Sequence, residues 1–261
     1  MTEPSQPFSV PGLAGQVALI TGASGGLGGH FAQLLAGHGA SVVATGRRPE
    51  PLERLVTTIG RGGGRAMALP LDVTDPHSVS AAFDAVEGAF GPVTLLINNS
   101  GIVESEAAHQ LSESQWEATL ATNLTGAWRV AQELAKRLIE AQTPGNIVNI
   151  ASILGYRVAG GVLPYAVSKA GLIQMTKALA LEWARYGIRV NALAPGYIET
   201  DLNRDFFQSP PGQALIKRIP QRRLGQLRDL DGPLLLLASP AAGYMTGTAI
   251  VVDGGHLQSS L

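Results

Sequence analysis

The 261-residue chain contains no cysteine. That excludes a disulfide framework, a zinc–thiolate site, a cysteine nucleophile and an iron–sulfur cluster. Charge is scarce too. Only 15% of residues are Asp, Glu, Lys or Arg, against about 25% in an ordinary soluble protein. The 19 basic and 20 acidic side chains nearly cancel, so the basic excess of a nucleic-acid binder is missing. No apolar run approaches the ~18 residues of a membrane span, and none is expected. Residues 1–11 hold Pro4, Pro7 and Pro11 but no basic residue, unlike a secretory leader, so a cytoplasmic enzyme is expected. His30, His38, His77, His109 and His256 are scattered without ligand spacing, and no metal is expected.

What remains is apolar and glycine-rich. Hydrophobic side chains make up 45% of the chain, far too many for a disordered polymer. Short runs rich in β-branched residues fall at 17–21, 41–45, 66–71, 93–98, 146–151, 188–194 and 248–252. Stretches long enough for helices separate them. Strand and helix alternating throughout predict βαβ units. Runs apolar on both faces predict strands covered on both sides. The expected fold is therefore α/β, a Rossmann-type doubly wound parallel sheet of about seven strands with helices on both faces. One domain over 13–255 is expected, with an N-terminal arm at 1–12 and a tail at 256–261.

The first run leads into Thr21-Gly22-Ala-Ser24-Gly-Gly26-Leu27-Gly28, a glycine-rich turn that opens a helix. Free N–H groups at a helix start attract phosphate, and glycines let backbone approach a pyrophosphate. The same residues also match the G-x-S-x-G elbow of a hydrolase, with His256 as a nominal partner for Ser24. An elbow after the first strand would be unusual, so a dinucleotide site is preferred. The second run ends in Gly46-Arg47-Arg48, and no acid occurs before Glu50. A carboxylate would bind the ribose hydroxyls of NAD, whereas guanidinium pairs with a 2′-phosphate. NADP(H) is therefore the preferred cofactor, with NAD(H) possible. Asp72, beside Val73, could accept from the adenine amine or cap the next helix.

Tyr165 and Lys169 stand four residues apart, on one face of a predicted helix. Ser152 follows the fifth run, at the strand end where open parallel sheets bind ligands. Asn99-Ser100-Gly101 and Pro195-Gly196 follow the fourth and sixth. The ordered set Thr21-Gly22-x3-Gly26-x-Gly28, Asn98-Asn99-x-Gly101, Asn123, Ser152, Tyr165-x3-Lys169 and Pro195-Gly196 resembles the short-chain dehydrogenase/reductase family. The resemblance runs to Val252-Asp253-Gly254-Gly255, and Ser100 departs from the alanine usual there.

The resemblance implies an oxidoreductase that interconverts a secondary alcohol and a ketone. Its implied catalytic set is Asn123, Ser152, Tyr165 and Lys169, with Asn123 holding a relay water and Lys169 also gripping the nicotinamide ribose. The nicotinamide carboxamide falls to Ile198 and Thr200. If Lys169 lies about 4 Å from the phenol, it stabilises tyrosinate by roughly 4 kcal/mol at a dielectric near 20, and oxidised nicotinamide adds positive charge, which predicts a functional Tyr165 pKa near 7. Val103, Leu154, Tyr156, Tyr197, Phe206 and Phe207 are candidate substrate-pocket walls, the last two on a lid at about 197–220. A 3-oxoacyl carrier thioester and a sugar acid or polyol are alternative substrates. Arg129, Arg137 and Arg185 are available to dock a carrier. A non-catalytic dinucleotide sensor is the alternative of another class. The helix after Tyr165 is apolar nearly all round, so a second subunit should cover it, and a homotetramer is expected.

Overall fold

The computed structural model describes residues 12–200 and 203–259. The expected arm at 1–12 lies outside them, apart from Gly12. Seven strands form one parallel sheet in the order β3-β2-β1-β4-β5-β6-β7. They are β1 (Val17–Ile20), β2 (Ser41–Gly46), β3 (Arg65–Pro70), β4 (Leu95–Asn98), β5 (Gly145–Ile150), β6 (Ile188–Pro195) and β7 (Ala249–Val252). The helices between them are α1 (Gly26–Gly37), α2 (Pro49–Arg61), α3 (Pro76–Phe90), α4 (Glu113–Leu120), α5 (Ala127–Glu140) and α6 (Leu163–Trp183). Two short helices, α7 (Arg204–Gln208) and α8 (Pro210–Ile216), precede α9 (Asp231–Ala238).

Period-two alternation along the strands feeds two cores. Ala18 and Ile20 of β1, with Leu95 and Ile97 of β4, face Phe31 and Leu35 of α1 and Leu234 and Leu237 of α9. Leu19 of β1 and Leu96 of β4 face Phe83 of α3 and Leu134 and Leu138 of α5. Both faces of the sheet are thus covered, which is why its runs read as continuously apolar.

Strand order reverses at β1, between β2 and β4, and a crevice opens at the carboxyl ends of such a pair. Side-chain hydrogen bonds pin its two lips. Thr21 Oγ1 accepts from the backbone N–H groups of Asn99 and Ser100, each at 3.0 Å. Asn99 Nδ2 donates back to the carbonyls of Thr21 (3.0 Å) and Gly22 (3.1 Å). This closeness dictates Gly28, where a Cβ would stand 2.4 Å from the Gly22 oxygen and 2.5 Å from Asn99 Nδ2. Gly28→Ala is expected to destabilise the fold by about 1–3 kcal/mol, the usual cost of overpacking. Urea unfolding checks this, and a shift within 0.5 kcal/mol (roughly the surface-substitution range) would mean that the turn yields freely.

A second polar network sets the register of α6 against β5. Asn98 Nδ2 donates to Asn149 Oδ1 at 3.0 Å, and Asn149 Nδ2 donates to Thr176 Oγ1 at 2.9 Å. All three side chains are buried, so each hydrogen bond is costly to break. Tyr165 and Lys169 on α6 are thereby held beside Ser152, which follows β5.

Between α4 and α5 the chain makes a π-helical turn, Ala121–Gly126. The wider turn inserts Asn123 into the interior. Periodicity in the sequence does not reveal it.

Candidate active site

Two connected cavities run along the carboxyl edge of the sheet and share Asn99, Gly101 and Ile102. The first, about 590 Å³, is walled by Gly22, Ser24, Arg47, Arg48, Asp72, Val73, Asn99, Ser100 and Gly101. The second, about 350 Å³, is walled by Gly26, Leu27, Val103, Ser152, Tyr165, Lys169, Pro195, Gly196, Tyr197, Ile198 and Thr200. Sequence reading missed Gly25, Gly46, Leu71 and Thr122 in the first, Ile150, Ala151 and Asn203 in the second, and Ile102 in both. Asn203 braces the loop after β6, accepting from Thr200 N–H and donating to Ile198 O, both at 2.8 Å. No sequence motif marks it.

Several expected residues lie off the cleft wall. Gly28 is a packing residue, as its close contacts require. Leu154 gives its backbone N–H to Ser152 Oγ at 3.1 Å and so orients that hydroxyl from behind. Tyr156 and Phe206 are exposed. Phe207 is buried, packed edge-on against Tyr197 with ring centres 5.9 Å apart. It supports the wall through Tyr197.

Asn123 is fully buried. Its Oδ1 accepts from Ile102 N–H at 2.8 Å, and its Nδ2 donates to Ile102 O at 2.9 Å and Ser168 Oγ at 3.1 Å. Ser168 Oγ in turn donates to Tyr165 O at 2.7 Å. Asn123 therefore clamps the cleft floor to α6, and Ser168 is a link that sequence reading missed.

Burial pushes the pKa of the Tyr165 phenol above the ordinary 10, and the neighbouring Ser152 acts in the opposite sense. The expected near-neutral value refers to the enzyme with oxidised nicotinamide bound, whose positive charge adds to that of Lys169. Lys169 Nζ lies 5.5 Å from the Tyr165 ring centre and donates to Ile150 O at 2.7 Å. Burial in turn lowers Lys169 to about 8.

Lys169 therefore strains the fold in a pH-dependent way. Its folded pKa lies below the unfolded 10.5, so between about pH 8 and 10.5 the unfolded chain binds more protons. Stability contributed by this group is lowest below pH 8 and recovers as pH rises through that window. Comparing Lys169→Met with the parent by chemical unfolding should show the variant's relative advantage shrinking from pH 7 to pH 10. A difference that ignores pH would mean that Lys169 is not desolvated.

The phosphate-binding features fit a dinucleotide. Gly22 (φ 66°) and Gly26 (φ 54°) adopt left-handed backbone, opening the turn beneath α1. No side chain caps the first N–H groups of α1, and its first turn has no acid. Arg48 Nη2 reaches Ser24 Oγ at 3.4 Å. The Asp72 carboxyl is held below its usual range by Thr74, whose hydroxyl and N–H both donate to Oδ1. The helix cap is instead Asp75, which accepts from His77 N–H. That removes one of the two readings of Asp72.

The hydrolase reading fails on geometry. Ser24 meets Arg48, whereas His256 packs on Tyr197 with ring centres 5.5 Å apart. Among the described residues, no group of three or more His, Cys, Asp or Glu could hold a metal, and no helix is long and apolar enough to cross a membrane.

A family model described as enoyl-(acyl carrier protein) reductase matches residues 22–256. The chain belongs to the short-chain dehydrogenase/reductase family. Family members similar to it include a 3-oxoacyl-[acyl-carrier-protein] reductase of Vibrio cholerae, 37% identical over 93% of this chain and 98% of that protein. D-threitol dehydrogenase of Mycolicibacterium smegmatis is 37% identical over 94% of each chain. The structure of a gluconate 5-dehydrogenase from Burkholderia cenocepacia, in complex with NADP and tartrate, superposes with a TM-score of 0.90. It is 35% identical, covering 95% of this chain and 97% of that one. Membership makes this short-chain dehydrogenase/reductase an NAD(P)-dependent oxidoreductase acting on CH–OH groups.

Proposed function

We propose that the chain interconverts a secondary alcohol and its ketone with NADP(H), using Tyr165 as general acid and base. One observation carries this reading. Ser152, Tyr165 and Lys169 share one wall of a cleft whose far end presents Arg47 and Arg48. When bound, the reduced nicotinamide supplies the hydride. Arg47 and Arg48 would hold the 2′-phosphate, and Asp72 and Val73 would flank the adenine. The turn from Gly22 through Ser24, Gly26 and Leu27 would cradle the pyrophosphate. Asn99, Ser100, Gly101, Pro195, Gly196, Ile198 and Thr200 would line the remainder.

The phenol is protonated at neutral pH, since burial raises its pKa. It can therefore give a proton to the substrate oxygen in reduction. Ser152 Oγ would donate to that same oxygen, offsetting its developing charge. The Lys169 ammonium stands behind the phenol and favours the tyrosinate left after proton transfer. Asn123 keeps α6 in place through Ile102 and Ser168.

A 3-oxoacyl carrier thioester is less well supported. Arg137 is committed to Asp84, Glu87 and Glu133, and Arg129 to the Val73 carbonyl at 2.7 Å. Neither is free to receive a carrier's acidic surface, whereas the exposed Arg185 meets only the Tyr186 side chain. Leu163, Val167 and Leu181 of α6 and Trp128 of α5 stay exposed, which favours a homotetramer that covers them. Sedimentation should then give four chain masses, and a monomer would refute it. A cytoplasmic location is consistent with the cysteine-free composition. The reading is tested by following NADPH oxidation with small ketones, sugar-acid ketones and 3-oxoacyl thioesters. Turnover of a ketone supports it, and no turnover of any carbonyl overturns it.

A further inference from the structure

The cavity that holds Ser152 and Tyr165 is poor in charge. Among the described residues, Lys169 is the one basic side chain that lines it, and no Asp or Glu does. The remaining residues, 1–11, 201, 202, 260 and 261, include no Lys, Arg or His that could add a cation. Lys169 is itself only 4% exposed and is bonded to Ile150 O.

The polar part of the wall is largely spent. Asn99 Nδ2 is given to the Thr21 and Gly22 carbonyls, and Asn203 bonds Thr200 N–H and Ile198 O. The wall's other polar side chains are the hydroxyls of Ser152, Tyr165, Tyr197 and Thr200. In the reading above, Thr200 serves the cofactor, and Ser152 and Tyr165 take the reacting oxygen. A second polar group on the substrate would meet Tyr197 alone. The several hydroxyls of a sugar chain would lose water without replacement, at a cost for each.

The apolar part of the wall is Ile102, Val103, Tyr197 and Ile198. It is held from behind. Asn123 bonds both the N–H and the carbonyl of Ile102. Glu106 N–H donates to Gly161 O at 2.9 Å, which ties the loop after β4 to the loop after β5. Tyr197 is flanked by Phe207 and His256, with ring centres 5.9 and 5.5 Å away. Val103 lines the cavity and is still 60% exposed. The loops that supply these walls also expose Tyr156, Val158 and Phe206. Exposed apolar side chains on the loops around one cleft suit an apolar ligand.

We propose that the substrate is a neutral ketone with hydrocarbon substituents, and that Val103 is a specificity-determining residue against which one of them packs. This rests on the alcohol–ketone reading above and narrows it. A sugar acid would bring its carboxylate into a cavity with no cation to spare, and burying an unpaired charge is costly.

The test uses matched probes on the full chain with NADPH. Methyl isoamyl ketone and levulinate share a methyl ketone and differ in an isopropyl group against a carboxylate of similar shape, and D-fructose is a neutral polar ketone. The parent's kcat/KM for methyl isoamyl ketone should exceed that for either other probe by at least about tenfold. Val103→Arg, which supplies a cation at the wall, should raise the levulinate-to-ketone ratio of kcat/KM by about 10- to 100-fold, chiefly through KM. Val103→Met, which adds bulk without charge, should leave that ratio in place, and thermal unfolding checks that both variants fold. A ratio that Val103→Arg does not move would take Val103 off the substrate wall and overturn its role. Levulinate or fructose reduced as well as the apolar ketone, or turnover confined to other carbonyls, would overturn the proposal and leave the alcohol–ketone reading intact. Turnover of no carbonyl at all would instead strike that underlying reading.

Discussion

Tyr165→Phe is expected to lower kcat by about 10²–10⁴-fold, the range for loss of a positioned general acid or base. Dinucleotide binding should survive. The reason is local. Phenylalanine keeps the ring that packs beside Lys169, and the change removes only the hydroxyl that meets Ser152. Because the proton moves in the transition state, kcat and kcat/KM should fall together while KM changes little. Thermal unfolding of the variant should match the parent within a few degrees, since loss of one hydroxyl costs about 1 kcal/mol. Steady-state assays beside a fluorescence titration with NADPH separate the two effects. Retained turnover would point to a different proton donor such as Tyr197, whereas dinucleotide binding without turnover in the parent itself would point to the sensor alternative.

Replacing Arg47 and Arg48 together by alanine is expected to weaken NADPH about 100-fold and to weaken NADH far less. Each charge-assisted bond to a phosphate contributes about 1.5–3 kcal/mol, so two amount to at least a hundredfold in affinity. Both side chains are exposed at the mouth of the cleft, and Arg48 is steered inward only by a 3.4 Å contact with Ser24 Oγ. Salt should therefore erode the parent's preference, because screening acts most on exposed charge. Equal weakening of both dinucleotides would show that the arginines support the loop and do not read the phosphate.

The fold was largely legible because its signals are local. Seven apolar runs mark seven strands, each end within two residues, since a strand covered on both faces has no polar alternation to blur it. The glycine turn was legible for a different reason, as its glycines are demanded by left-handed backbone and close approach. What sequence could not show is where long side chains point. Lys at +4 from Tyr puts both on one face, but only the folded sheet offers Lys169 the Ile150 carbonyl. Burial of the phenol, which raises its pKa, is likewise set by the fold and not by the spacing. Asn123 was identifiable as a residue and not as a clamp, because the π turn that turns it inward has no periodic signature. Phe206 and Phe207 looked equivalent, yet only Phe207 is buried against Tyr197.

The central claim is that one continuous cleft binds NADPH at its arginine end and delivers a proton from Tyr165 at the other. A single mixing experiment tests it most directly. Enzyme loaded with NADPH is mixed with a ketone that the parent reduces, and nicotinamide fluorescence is followed through one turnover in the parent and in Tyr165→Phe. The account predicts tight NADPH complexes in both proteins, with rapid decay of the signal only in the parent. Absence of NADPH binding, or decay at equal rates in the two, would contradict it.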